Sequence, residues 1–148
     1  MFLRTDRDQV YSIEAGKRHL IEKDNTMFPR FITKTIHAYL DYPVALGLIA
    51  MPFLFGLGAT APLAFWLSVV TGIAALGLTL LTDHHLGVIR ILPYSLHLTV
   101  DGLVGIAFVA APLVLGFSGL DFWYYLGLGL TVLAVVGLHQ PEEQSATV

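Results

Sequence analysis

The chain is 148 residues long, 55% hydrophobic and 13% charged, with a net charge of −3 and no cysteine. Its mean hydropathy is +0.72, and a soluble domain carries about twice that charged fraction. This excludes an ordinary soluble globule, disulfide or thiolate-metal chemistry and, for want of a basic tract, binding to nucleic acid.

The chain opens on a polar stretch. Five acids and seven bases precede residue 37, and residues 1–35 are expected to form a cytoplasmic N-terminal extension. A short helix is predicted over residues 11–23, with Phe28, Phe31 and Ile32 leading into the membrane interface. His19 lies here, and nothing in the stretch resembles a catalytic motif. From Tyr42 to Thr82 follow 41 residues without Asp, Glu, Lys or Arg. A hydrocarbon core about 30 Å thick takes roughly 20 residues of helix, so this run holds two spans with a tight turn in GLGATAP (56–62). A signal peptide has a shorter apolar region, and a soluble bundle would show polar faces at period 3.6; neither fits. After a loop over residues 83–95, Gly102–Leu120 and Phe122–Pro141 are again free of charge. They give one span each, separated by FSGLD (117–121). The expected fold is an all-α membrane protein with four transmembrane helices over residues 36–139, followed by a tail over residues 140–148.

Seven of the eight basic residues precede the first span, and the eighth, Arg90, lies in the loop between spans two and three. By the positive-inside rule both termini and that loop are cytoplasmic. Glu142 and Glu143 in the tail weigh little in this rule.

The four spans also form a tandem repeat, residues 36–82 and 96–139. At an offset of 60, His37 matches His97, Asp41 matches Asp101, Pro52 matches Pro112 and Gly56 matches Gly116. The second helices align through FW (65–66) with FW (122–123) and through GLTLL (77–81) with GLTVL (129–133). Each unit has two spans, so the copies share an orientation and a pseudo-twofold along the membrane normal relates them.

Each copy begins with a His and an Asp four residues apart, which places them on one helical face. A helix ending near Gly116 and crossing about 30 Å starts near residue 97. This puts His97 at the interface and Asp101 one turn inside, with His37 and Asp41 equivalent. Intramembrane carboxylates face the bundle interior and find partners, so Asp41 and Asp101 are expected to approach each other. At least one of His37, His97 and Arg90 should touch them, with His84 and His85 nearby and His139 on the same side. Three readings of this polar cluster compete. It ties the repeats together through hydrogen bonds, it binds a metal or haem through imidazole and carboxylate, or it handles protons. No nucleophile–base pair, P-loop or dinucleotide fingerprint accompanies it, and no cofactor is implied. Pro52 and Pro112, four residues before each closing glycine, mark either a bend in the last turn or a helix broken at a substrate site. Thirteen of the fourteen glycines lie at or after Gly47, as close helix contacts in lipid require.

Over residues 31–138 the chain resembles the SPW-repeat family of bacterial membrane proteins. The resemblance is carried by TIHAYLDY (35–42), LTDHHLGVIRILP (81–93), HLTVD (97–101) and APLVLGF (111–117). Where the family has Ser-Pro-Trp this chain has MPF (51–53) and APL (111–113), sharing only the proline. The resemblance implies a duplicated four-span fold and brings no catalytic residues. The expected role is a non-enzymatic scaffold or accessory component in the bilayer, with a membrane-protein partner or a second copy of itself as the plausible contact. The alternative is a metal-, haem- or proton-binding protein.

Overall fold

The chain divides after Arg30 into two compact units, Met1–Arg30 and Phe31–Val148. The structure, a computed structural model, describes residues 30–140 and, in the first unit, Tyr11, Ile13, Glu14 and Lys17. These four are helical and exposed. The rest of the expected 11–23 helix, His19 and residues 141–148 lie outside the described residues. The second unit starts at Phe31. Its first backbone groups are already tied down, because the N–H groups of Phe31 and Ile32 both donate to Leu138 O at 3.1 Å.

Four helices follow: α1 (Lys34–Phe55), α2 (Pro62–Leu81), α3 (Tyr94–Val114) and α4 (Gly119–Gly137). All four are long and apolar enough to cross a membrane, with mean hydropathy between 1.5 and 2.0. At 1.5 Å per residue the longest, of 22 residues, is about 33 Å. Local chemistry sets their ends. The Thr33 side chain accepts the Ile36 N–H at the start of α1, and Pro62 opens α2 where its missing N–H costs nothing. Gly56 and Gly116 adopt φ of 63° and 68°. The next N–H groups, of Leu57 and Phe117, then return to Pro52 O and Pro112 O at 3.0 Å each, the six-to-one closure of a Schellman turn. Leu57 and Phe117 are buried beneath these turns, as are the two prolines. Each proline therefore belongs to a helix-closing turn at the far end from the His/Asp pairs.

The helices pack in sequential pairs, α1 on α2 and α3 on α4. Contact depends on small residues. A Cβ on Gly72 would lie 2.9 Å from Ala45 O, and one on Gly129 would lie 2.9 Å from Gly105 O. Without a hydrophobic force between helices in lipid, such backbone proximity supplies the packing. The two crossings are equivalent at offsets of 60 in the first helices and 57 in the second. That is the register of the FW match, so GLTLL and GLTVL, at an offset of 52, are not the equivalent segments.

Between the pairs, Tyr125 donates its hydroxyl to Ala64 O in α2. The Ser68 hydroxyl lies 2.8 Å from that of Tyr124. Leu48, Ala64, Phe108, Ala111, Phe117 and Tyr125 form the buried core around these bonds. Asp121, in the first turn of α4, accepts the Gly58 N–H at 2.9 Å and so ties the α1–α2 turn to the second pair. At the opposite end two short parallel bridges join the pairs, Ile32 with His139 and Thr82 with Leu92. Offsets of 60 and 57 exchange these bridges with each other, as a twofold relation demands.

Candidate functional site: a His/Asp quartet between the repeats

His37 and His97 stand one turn into α1 and α3, both 1% exposed. Their Nε2 atoms converge on the carboxylates of Asp41 and Asp101. His37 Nε2 is 2.9 Å from Asp101 Oδ2 and 3.3 Å from Asp41 Oδ1. His97 Nε2 is 3.1 Å from Asp101 Oδ2 and 3.3 Å from Asp41 Oδ2. Each imidazole thus meets the carboxylate four residues on and the carboxylate of the other repeat. The sequence places the first pairing, through helical spacing. The crossed pairing needs α1 and α3 to present the same face to one another.

Only His37–Asp101 has the alignment of a hydrogen bond. Asp41 Oδ2 is close to His97 Nε2 but receives no hydrogen bond among the described residues; that contact is one of charge.

The far side of His97 decides where its proton sits. Thr82 donates its single hydroxyl proton to Leu78 O at 2.7 Å. The hydroxyl oxygen lies 2.9 Å from His97 Nδ1, so it accepts there and Nδ1 carries the hydrogen. Were His97 neutral, Nε2 would present a lone pair to two carboxylate oxygens. The network therefore assigns positive charge to this point, a proton on Nε2 or a cation in front of it. His139 occupies the equivalent place beside His37, their ring centroids 5.6 Å apart, and its Nδ1 lies 3.4 Å from the Tyr94 hydroxyl. His37 Nδ1 is buried with no hydrogen-bond partner among the described residues.

The remaining candidates stand around this centre. His84 is buried, its ring centroid 6.1 Å from that of His97. Its Nδ1 accepts the Leu86 N–H at 3.2 Å, which leaves the hydrogen on a buried Nε2 without a partner among the described residues. Burial lowers its pKa below the ordinary 6.5; Asp41 opposes the shift, while His97 and Lys34 add to it. His85 is exposed. Arg90 turns back on its own loop, donating to Gly87 O at 3.2 Å and to His85 O at 3.3 Å, with φ of 47°. Pro52 and Pro112 close the opposite helix ends.

Two contributors are not evident from sequence reasoning. Thr82 carried a usable signal, since the offset of 57 equates it with His139. Asp121 stood out only as the one acid between the last two spans, at a helix N-terminus where a carboxylate is stabilised.

From the quartet a cavity of about 290 Å³ runs into the bundle, with walls from all four helices, among them Leu48, Leu78, Phe108 and Leu128. Its lining is apolar except at the quartet and at Thr71, Thr79 and Thr131. No family model, curated protein or solved structure matches the chain. Fold and composition nevertheless place it. This is a four-helix membrane protein, with a buried His/Asp cluster between its two helix pairs.

Proposed function

We propose that the protein is a non-enzymatic scaffold or accessory component of a bacterial inner membrane, in which the His/Asp quartet clamps the two helix pairs together. The observation that carries this reading is the crossed pairing of each carboxylate with the imidazole of the other repeat. Buried charge is costly unless paired, and these partners are available only when the pairs are docked in register. The quartet thereby specifies one arrangement of two otherwise greasy hairpins. Tandem helix pairs with equivalent closing turns support the resemblance to the SPW-repeat family. The clustering of Lys and Arg before α1 and at Arg90 supports a cytoplasmic location for the quartet end. Apolar side chains cover the lipid-facing flanks, Phe53, Trp66, Ile106 and Trp123 among them, and suit contact with lipid, a partner helix or a second copy.

The test is to cut the connection between the pairs. A protease site inserted after Val88, which is 73% exposed, allows cleavage of the purified protein in mild detergent. The halves should remain together in the wild type and separate in the Asp41→Asn, Asp101→Asn double variant. Halves that co-purify equally in both would refute the clamp.

A further inference from the structure

We propose that the quartet binds one divalent first-row transition ion of the zinc class, held on the pseudo-twofold by Nε2 of His37 and His97 and by one oxygen each of Asp41 and Asp101. The inference uses the same four residues as the clamp but asks more of them, namely that their lone pairs share one centre.

Geometry comes first. One donor atom from each residue can be chosen so that all four lie within 4.8 Å of one another. The close nitrogen–oxygen pairs measure 2.9, 3.1, 3.3 and 3.3 Å, the last two to different oxygens of Asp41, so a set with one Asp41 oxygen has three such edges. Bonds of about 2.0–2.1 Å give edges of about 3.3–3.4 Å in a tetrahedron and about 2.8–3.0 Å in a square. The three edges of such a set lie in the range these two geometries span. Hydrogen bonds would give similar lengths, but three of the four contacts lack their alignment. His97 Nε2 is aimed squarely at neither of the two carboxylate oxygens beside it.

The surroundings agree. Metal-bound histidines characteristically donate the other ring N–H to an oxygen, which fixes the tautomer and the ring plane. Thr82 provides this for His97, its own proton committed to Leu78 O. His84 cannot serve as a fifth ligand, because the Leu86 N–H holds its Nδ1 lone pair and its Nε2 bears the hydrogen. Charge also balances. Two carboxylates, two neutral imidazoles and a divalent ion make a neutral unit, which a low-dielectric interior favours. On binding, the Nε2 proton of His97 leaves for solvent and the hydrogen that His37 Nε2 directs at Asp101 moves to its Nδ1, so both Nε2 lone pairs reach the ion. Two nitrogens and two carboxylate oxygens without sulfur select Zn²⁺, Co²⁺, Ni²⁺ or Cu²⁺ over Cu⁺.

The full-length protein, purified in mild detergent and stripped with chelator, is titrated with Zn²⁺ by calorimetry and with Co²⁺ by visible absorption. One Zn²⁺ per chain is expected, together with a Co²⁺ ligand-field band that Zn²⁺ abolishes. His37→Ala and His97→Ala should each eliminate binding. Thr82→Val leaves all four ligands in place and should weaken it roughly 10–100-fold, while His85→Ala should not change it. If the histidine variants fail to fold, Asp41→Asn and Thr82→Val carry the test alone. Absence of stoichiometric binding, or undiminished binding in Asp41→Asn and Thr82→Val, overturns the proposal. The clamp is read separately, from the chelator-treated protein. Destabilisation by Asp101→Asn without Zn²⁺ binding to the wild type keeps the clamp and removes the metal site. The reverse result does the opposite.

Discussion

Asp101→Asn isolates the charge of one carboxylate while keeping its shape. Asp101 Oδ2 receives the one aligned hydrogen bond of the quartet, from His37 at 2.9 Å, and lies 3.1 Å from His97. An asparagine can present its carbonyl oxygen at the same point, so the geometry survives and only the ionic component is lost. Hydrogen bonds to charged groups contribute about 1.5–3 kcal/mol against about 1 for neutral ones. Severing a buried ion pair outright costs about 3–5 kcal/mol. The smaller figure governs here, because Asp41 remains 3.3 Å from both imidazoles and the Asp101 side chain is itself 20% accessible. A loss of about 1–3 kcal/mol is expected. Asp41→Asn should cost less, since its contacts are longer and unaligned. Asp83→Asn, on an exposed loop residue, should change stability by less than about 0.5 kcal/mol. Reversible unfolding of the chelator-treated protein in mixed micelles, followed by circular dichroism, gives the three values. Wild-type stability in Asp101→Asn, or a greater loss in Asp41→Asn, would refute this assignment of the pairing.

The glycine crossings predict opposite outcomes at two positions in the same unfolding assay. Gly129→Ala should destabilise by about 1–3 kcal/mol, because its Cβ would lie 2.8 Å from Val109 N and 2.9 Å from Gly105 O. Gly47→Ala, with nothing within 4 Å of the new Cβ, should be neutral or slightly stabilising through helix propensity. For His84, burial depresses the folded pKa below the unfolded 6.5, so the unfolded chain binds the extra proton. Its contribution is then fully present above pH 6.5 and is lost as pH falls from there through the depressed folded pKa. A pH series on chelator-treated protein should show that loss, and His84→Gln should flatten it. Tags at both termini should be protected from external protease in spheroplasts while a reporter in GLGATAP is accessible; an accessible N-terminus would invert the proposed orientation.

Much of this protein is legible along the chain, because whether a segment belongs in hydrocarbon is a local property. Four apolar runs, the turns at residues 56–62 and 117–121, and the duplicated His-x3-Asp and Pro-x3-Gly patterns follow from residue order alone. Each helix's length and polarity can be read without knowing its neighbours. The i,i+4 pairing of His37 with Asp41 and of His97 with Asp101 is likewise a consequence of 3.6 residues per turn. Tertiary structure decided which further groups meet. Arg90 was a plausible carboxylate partner by sequence position, yet its loop folds so that the guanidinium satisfies Gly87 and His85 carbonyls. Thr82 is marked in the sequence only by its offset of 57 from His139, yet the chain leaving α2 brings its hydroxyl to His97 Nδ1 and so determines where that ring's proton lies. Crossed pairing depends on the rotation of α1 and α3 about their own axes and on the close approach at Gly72 and Gly129. Those are relations between helices, and no periodicity within one helix encodes them.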